Sequence, residues 1–323
     1  MNEASNFCNG ACYSDQMYGT PTRHKIPYTP TGRNLETKSM PLDAYHPSDP
    51  LDKNITELDA HSLFGTMQVK ASHEWFKVND RRTMIIERSS FAGLGKFGSR
   101  WLGDNFASYD YMGYSVTGVM MHNVIGIPLA GADICGFIGD TTPELCVRWY
   151  TVGAFYPFSR NHNNLNQIPQ EPYQFHNYTM AGQPYTDMIR KAMQTKLALV
   201  PYYYTGLTEL SKRGGSFYKP LFFEFPDDPN AYKNLTHNVM LGSGMKASFQ
   251  STEDVNITSY YFPDGIWCSI IDPRYGCIDG PRTVEMPSMI FQYYAHIRDG
   301  YILPLHVDVI GRLKTWRKVA EIQ

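Results

Sequence analysis

Residues 83–105 read Thr-Met-Ile-Ile-Glu-Arg-Ser-Ser-Phe-Ala-Gly-Leu-Gly-Lys-Phe-Gly-Ser-Arg-Trp-Leu-Gly-Asp-Asn. A β-favouring run, Thr83–Arg88, feeds a Gly-rich loop, and the loop leads into Trp101-Leu102-Gly103-Asp104. Strand, glycine loop and strand-end carboxylate is the order in which a parallel α/β barrel brings an acid to its mouth. An Asp between glycines and beside a Trp can be kept partly dry, which raises its pKa and suits it to proton donation. The competing reading is a loop Asp that caps the next helix, at Tyr109–Val119.

Outward from this stretch, helix and strand alternate. The spacing of Leu63, Met67, Lys70, Ala71 and Trp75 predicts a helix over residues 58–78. Further helices are expected over 112–124, 142–152 and 183–213, the last stopped at Gly214-Gly215. Between them lie strand-like runs at 127–137 and 154–163, so the pattern through residue 215 is that of a parallel α/β array. Residues 8–60 instead show Gly, Pro, Ser, Thr and Tyr without periodicity, as expected of a long loop inserted after a barrel strand. From 216 onward short β segments at 216–226, 237–250, 256–262 and 266–272 are bounded by Pro-Asp, Gly-Ser-Gly and Pro-Asp-Gly turns. That run predicts a β-sandwich over 216–323.

Composition bounds the chemistry. A net charge of −2 in 323 residues gives no electrostatic case for nucleic acid or an acidic membrane surface. No apolar run approaches the ~18–20 residues of a membrane span, and no signal peptide is visible in the polar first thirty residues. Aromatics make up 14%, which suits sugar stacking but equally fills cores. The six cysteines fall into close pairs, Cys8/Cys12, Cys135/Cys146 and Cys268/Cys277, none with redox or zinc spacing. Local disulfides in an oxidising compartment are expected, with free buried thiols as the alternative. Four Asn-x-Thr triplets, at Asn54, Asn177, Asn234 and Asn256, are candidate glycosylation sites and agree with a secretory, lysosomal or extracellular setting.

Several motifs carry a resemblance. Arg88-Ser89-Ser90-Phe91-Ala92-Gly93 followed by Arg100-Trp101-Leu102-Gly103-Asp104-Asn105 resembles the acid/base segment of glycoside hydrolase family 31. Met1-Asn2-Glu3 resembles the residues that follow the family's nucleophilic Asp. Asp59-Ala60-His61-Ser62-Leu63-Phe64-Gly65, Gly131-Ala132-Asp133-Ile134-Cys135-Gly136-Phe137 and Phe155-Tyr156-Pro157-Phe158-Ser159-Arg160-Asn161-His162-Asn163 match other family segments. The likeness runs from Met1 to about Leu305. It departs at Arg100, where His is usual, at Tyr109, near a common Trp, and at Asp299, which replaces a Gly.

The resemblance implies the C-terminal half of a (β/α)8 TIM barrel followed by an all-β sandwich. It implies a retaining glycosidase that releases terminal α-linked glucose from oligosaccharides, with no metal or cofactor. Retention needs two carboxyl groups, a nucleophile and an acid/base. The resemblance makes Asp104 the acid/base and puts the nucleophile immediately before Met1. The chain is therefore expected to be one part of a larger enzyme, working with an N-terminal part of the same protein. Arg88 and His162 are expected to grip sugar hydroxyls, against the alternatives of an ion pair with Glu87 and a structural histidine. Trp101 and Phe137 are expected to wall the sugar pocket or to be plain core, and Met1 to line the pocket. Asp133 is expected to reach it or to orient Arg88. Glu3 matches the Glu of the family motif and is given no catalytic role. The family also carries a disulfide in the Cys135/Cys146 segment. Rival readings are a catalytically inactive carbohydrate-binding or partner protein, and a relative with another specificity: α-xylosidase, transglucosidase, α-glucan lyase or endoplasmic-reticulum glucosidase.

Overall fold

The computed structural model describes residues 3–12, 35–47 and 55–306; Met1, Asn54 and the central part of the 8–60 loop lie outside them. Contacts divide the chain into two units, one of residues 1–101 with 125–127, the other of 102–124 with 128–323.

In the first unit, β1 (Tyr45–His46) pairs antiparallel with β2 (Ile55–Thr56). The helix expected over 58–78 is broken: α1 (Glu57–Ala60) passes through a 3-10 turn at His61–Leu63 into α2 (Phe64–Val78). The junction is held by Glu57, whose buried carboxylate bonds His46 Nε2 at 2.6 Å and His61 Nδ1 at 3.0 Å. The strand expected over 83–88 shrinks to β3 (Ile86–Glu87), parallel to β4 (Ser99–Trp101) with Glu87 opposite Arg100. The unit's buried apolar cluster is small: Val69, Leu94 and Ile127, with Ile85 and Phe97 against them.

Near the start of this unit, Cys8 and Cys12 are joined in a disulfide that closes a short loop. Cys12 departs from the alternative of a free buried thiol on both counts, being bonded and exposed. Cys12 Sγ lies 3.3 Å from Asn6 Oδ1, so this bridge fastens a surface loop.

The second unit contains α3 (Tyr109–Val124), β5 (Ala130–Gly131), β6 (Asp133–Ile134), α4 (Pro143–Gly153) and β7 (Arg160–Asn161). It continues through the β8 (Thr179–Met180) and β9 (Gln183–Pro184) hairpin into α5 (Tyr185–Arg213). Local sequence explains the boundaries. Thr142 caps α4, its hydroxyl accepting from Leu145 N at 3.2 Å, and Pro143 occupies the first turn, where its missing N–H costs nothing. Gly214, at φ +73°, ends α5 by donating to Leu210 O at 2.8 Å. The strand expected over 154–163 survives only as β7. Ala154, Phe155 and Tyr156 instead turn off the end of α4 and bury both rings in the core.

Six antiparallel strands complete the unit: β10 (Tyr218–Lys219), β11 (Asn238–Leu241), β12 (Met245–Phe249), β13 (Ile257–Ser269), β14 (Cys277–Pro287) and β15 (Tyr293–Arg298). They hydrogen-bond in the order β10-β11-β12-β15-β13-β14. The turn expected at Pro263-Asp264-Gly265 is a register shift inside the single strand β13. Continuing the strand puts Tyr260, Phe262 and Trp267 in one core, where Trp267 Nε1 donates to Pro263 O at 2.8 Å. Cys268 and Cys277 face each other across β13 and β14 and are joined in a second disulfide. One set of alternating sheet residues, among them Val239, Leu241, Ala247, Phe249 and Ala295, joins the core built by α3, α4 and α5 around Trp149 and Ile189. The other set, including Met240 and Tyr294, faces the second core. Full burial of each large side chain stabilises by about 1.5–3 kcal/mol, so this doubly covered sheet anchors the unit.

Candidate active site

Within the second unit, three chain passes run in parallel and end together. Leu102 N donates to Gly131 O at 2.9 Å, Asp133 lies opposite Arg160, and Phe106 bridges to Ile138. Their C-terminal ends carry Asp104, Phe137 and His162. Asp104 is half-buried and sits at φ +59°, a left-handed conformation that Asp tolerates better than most residues and that turns it off the strand line.

The next residue locks the turn. Asn105 is buried; its amide donates to Asp133 O at 3.0 Å and accepts from Asp133 N at 3.0 Å, while its carbonyl accepts from the N–H groups of Phe137 and Ile138. Gly136 is required just beyond: at φ +92°, a Cβ there would lie 2.3 Å from Ala107 Cα. The first two passes are thus pinned beside Asp104 by backbone-directed bonds.

His162 stacks against Phe137 with ring centroids 4.9 Å apart. Burial holds its pKa below the ordinary 6.5, the positive charge of Arg160 pushes the same way, and the carboxylate of Asp104 opposes them. The imidazole is therefore neutral at neutral pH, able to donate from one nitrogen and accept at the other. Behind it, the buried side-chain amide of Gln170 reaches Gly136 O at 3.0 Å, Asn161 Oδ1 at 3.0 Å and His162 O at 3.1 Å. Asn161 returns a bond to Gln170 O at 2.8 Å and another to Tyr150 Oη at 2.8 Å. Asp133 is wholly buried and participates in this backbone network. The third disulfide, Cys135–Cys146, ties the end of β6 to α4, so all three expected pairs are joined: this one, Cys8–Cys12 and Cys268–Cys277. Of the six cysteines only Cys135 and Cys146 lie in the core beneath the strand ends; Cys12 and Cys277 are exposed.

The first unit holds Arg88 and Trp101. Arg88 is gripped bidentately by Glu3, Nε to Oε1 at 2.5 Å and Nη2 to Oε2 at 2.7 Å, and its guanidinium lies 5.9 Å from the Trp101 ring centroid. The expected alternative partner was Glu87; the ion pair found here is with Glu3. The Arg88 bonds hold Glu3 below the ordinary carboxylate range, burial opposing. A cavity of about 430 Å³ opens here, lined by Glu3, Thr37, His61, Arg88, Ser89 and Arg100 among others. Arg100, the departure from the family motif, is pushed down by burial against the opposing charges of Glu87 and Glu3. Its Nε and Nη1 are buried without hydrogen-bond partners.

Three supports are not evident from the sequence: Glu3, which matches the family's Glu and not its catalytic Asp, Asn105 and Gln170. Asn105 was visible beside Asp104, and its Asp-Asn order was the available signal. Nothing local marks Gln170. Among the candidate glycosylation sites, Asn177, Asn234 and Asn256 are exposed. Among the described residues, no helix is long and apolar enough to cross a membrane, and no cluster of metal-ligating side chains is arranged to hold a metal ion.

Known proteins place these observations. Residues 1–206 match the model of the glycosyl hydrolases family 31 TIM-barrel domain, and residues 214–303 match the glycosyl hydrolase family 31 C-terminal domain. Lysosomal alpha-glucosidase of Mus musculus is 33% identical over 94% of this chain and 32% of its own length. A probable alpha-glucosidase of Oryza sativa subsp. japonica is 33% identical over all of this chain and 35% of its own. The crystal structure of a Tris-bound glucosidase II alpha subunit superposes with a TM-score of 0.71 at 27% identity, covering 81% of this chain and 28% of that one. The chain thus spans about a third of the length of these relatives. With both family domains matched in order, and relatives this similar along almost its whole length, the chain belongs to glycoside hydrolase family 31.

Proposed function

We propose that the protein carrying this chain is a retaining α-glucosidase that releases terminal α-linked glucose from maltose-like oligosaccharides. The observation that carries the reading is the strand-end grouping in the second unit: a half-buried carboxylate, Asp104, acting electrostatically on a neutral His162 that stacks on Phe137. Supporting it are the lysosomal and plant alpha-glucosidases that resemble the chain.

In this reading Asp104 protonates the glycosidic oxygen as the leaving sugar departs, then removes a proton from the water that releases the glucosyl group. Retaining chemistry sets the second carboxyl about 5–5.5 Å away as nucleophile. The family pattern puts that nucleophilic Asp directly before the Met-Asn-Glu that begins at Met1. His162 bonds a sugar hydroxyl as a neutral ring, and Phe137 walls the sugar's apolar face. Arg88 and Trp101 also bind substrate, Arg88 preset by its grip on Glu3. Asp133, wholly buried, acts by fixing the strand end and not by touching sugar. We place the junction of barrel and β-domain at 215/216 and the protein in the secretory pathway, with glycans on Asn54, Asn177, Asn234 and Asn256.

The test uses the protein purified from its source. Sequencing of its internal peptide that contains Met-Asn-Glu should read Asp directly before Met1, and NMR of maltose hydrolysis should show α-glucose as the first-formed anomer. Inversion at the anomeric carbon would sink the retaining mechanism. Sugar binding without turnover, at any enzyme concentration, would favour a non-catalytic carbohydrate-binding protein.

A further inference from the structure

On the sheet face away from α3–α5, Lys246 of β12 lies directly opposite His296 of β15 in the ladder, and both side chains are completely buried. Asn238 and Ser248, an opposed pair on β11 and β12, are also buried on this face. Lys246 Nζ donates to Ser248 Oγ at 2.5 Å, and Ser248 Oγ donates to Asn238 Oδ1 at 3.2 Å. There the bonding stops. Both ring nitrogens of His296 and the Asn238 amide nitrogen are buried without partners.

The group is donor-rich. An ammonium has three N–H bonds to place and an Asn amide two, yet the Ser and Asn oxygens are already used and neither His296 nitrogen accepts from these donors. It also lacks a counter-charge. Among the described residues, the shift of Lys246 has burial as its only cause, and that of His296 has burial and Lys246; no carboxylate contributes to either. The next residue on this face of β15 is again cationic, Arg298, whose guanidinium lies 4.6 Å from the Phe225 ring centroid.

The lysine's surroundings nevertheless suit a charged ammonium. Nζ lies 4.0 Å from the centroid of Phe262 and 5.9 Å from that of Tyr260, cation–π contacts that favour the charged form. The same Phe262 ring meets His296 edge-on at 4.8 Å. A buried charge persists only when paired.

We propose that Lys246 and His296 hold a small monovalent anion of the halide type inside the β-domain, with Lys246 Nζ and a His296 N–H as its donors. A buried water would accept from the orphan donors but, carrying no charge, would not hold the proton on Lys246 against burial, as an anion does. A single negative charge balances the one ammonium, whereas a multiply charged oxyanion would bury excess charge. Without the anion, burial drives His296 down to about 3, with Lys246 pushing the same way, and holds Lys246 well below its ordinary value, so burial opposes charge on both. The anion is therefore a structural ligand of the folded β-domain, and this assignment is independent of the sugar chemistry proposed above.

The experiment is thermal unfolding of the purified protein in sodium chloride against sodium gluconate at equal ionic strength, with bromide-soaked crystals for anomalous diffraction. Binding to the folded state alone should raise the midpoint by about 2–4 °C per tenfold rise in chloride above the dissociation constant. An anomalous bromide peak should lie between Lys246 Nζ and His296, and Lys246→Met should remove the chloride dependence. Equal midpoints in chloride and gluconate, a chloride dependence that survives Lys246→Met, or the absence of a bromide peak beside Lys246 would each overturn the assignment. Should Lys246→Met fail to fold, the bromide map of the unmodified protein and the chloride response of His296→Gln decide it.

Discussion

The two units hold their candidate functional side chains by different physics. In the first, Arg88 is positioned by an ion pair with Glu3, with side chains 42% and 43% exposed, in a unit whose buried apolar cluster is three residues. In the second, Asp104 and His162 stand on backbone bonded to the buried amides of Asn105 and Gln170, behind which lies a core built on Trp149, Phe155 and Ile189. Exposed ion pairs are weak and are screened by salt. Buried amide networks are expensive to leave half-made and are therefore stiff. Asp104, the proposed acid/base, is thus predicted to be rigidly placed, while the Arg88 grip responds to pH and ionic strength.

The sharpest break of this contrast is chemical. Asp104→Asn keeps the volume and removes the proton. It should lower kcat for maltose hydrolysis by about 10²–10⁴-fold while the unfolding midpoint moves little. A variant that keeps more than a tenth of the activity would show that the acid lies elsewhere.

Next in size is a pair of tryptophans. Trp149, wholly buried and bonded through Nε1 to Tyr156 Oη at 3.2 Å, should cost about 3–5 kcal/mol on replacement by Ala. Trp75, 57% exposed on α2, should cost less than about 0.5 kcal/mol. Urea unfolding of the two variants measures the difference, and comparable losses would mean that the first unit buries Trp75 against something in the intact protein.

The alternation of helix and strand was legible because the helices carry their own punctuation, Thr142-Pro143 before α4 and Gly214 after α5. The strand-end residues were legible through motif, since Asp104, Phe137 and His162 each sit in a segment with a family likeness. The cysteine pairs were legible from their closeness in sequence, but not their surroundings: Cys146 is core while Cys12 is exposed. What failed was whatever depends on partners distant in sequence. Phe155 and Tyr156 look like strand residues but are drawn off by the core; Pro263-Asp264-Gly265 looks like a turn but is overridden by Tyr260, Phe262 and Trp267 sharing one core. Glu3 and Arg88 are 85 residues apart, and no local pattern announces their pairing.

Gln170 tests the stiff side of the comparison. Gln170→Leu leaves the carbonyls of Gly136 and His162 without this donor, at a cost of about 1–3 kcal/mol in stability. Because His162 would lose its backbone anchor, KM for maltose should rise more than kcat falls. An unchanged KM with the stability loss intact would make Gln170 structural only.

Glu3→Gln tests the soft side and should have the smallest effect, no more than about 1 kcal/mol for an exposed pair. Its signature is the pH and salt profile. Glu3 is held below its ordinary value of 4.5 by Arg88, so its contribution is complete above that value and is lost as pH falls through the lower folded-state value. His162 runs in the same sense from a higher window. Its depressed folded-state pKa means stability present above 6.5 and declining as pH falls from there toward that lower value. The two are separable: Glu3→Gln should flatten the acid limb below 4.5 and the salt dependence of substrate binding, leaving the limb below 6.5 untouched. A salt dependence equal to that of the unmodified protein would show that Arg88 is positioned by something other than Glu3.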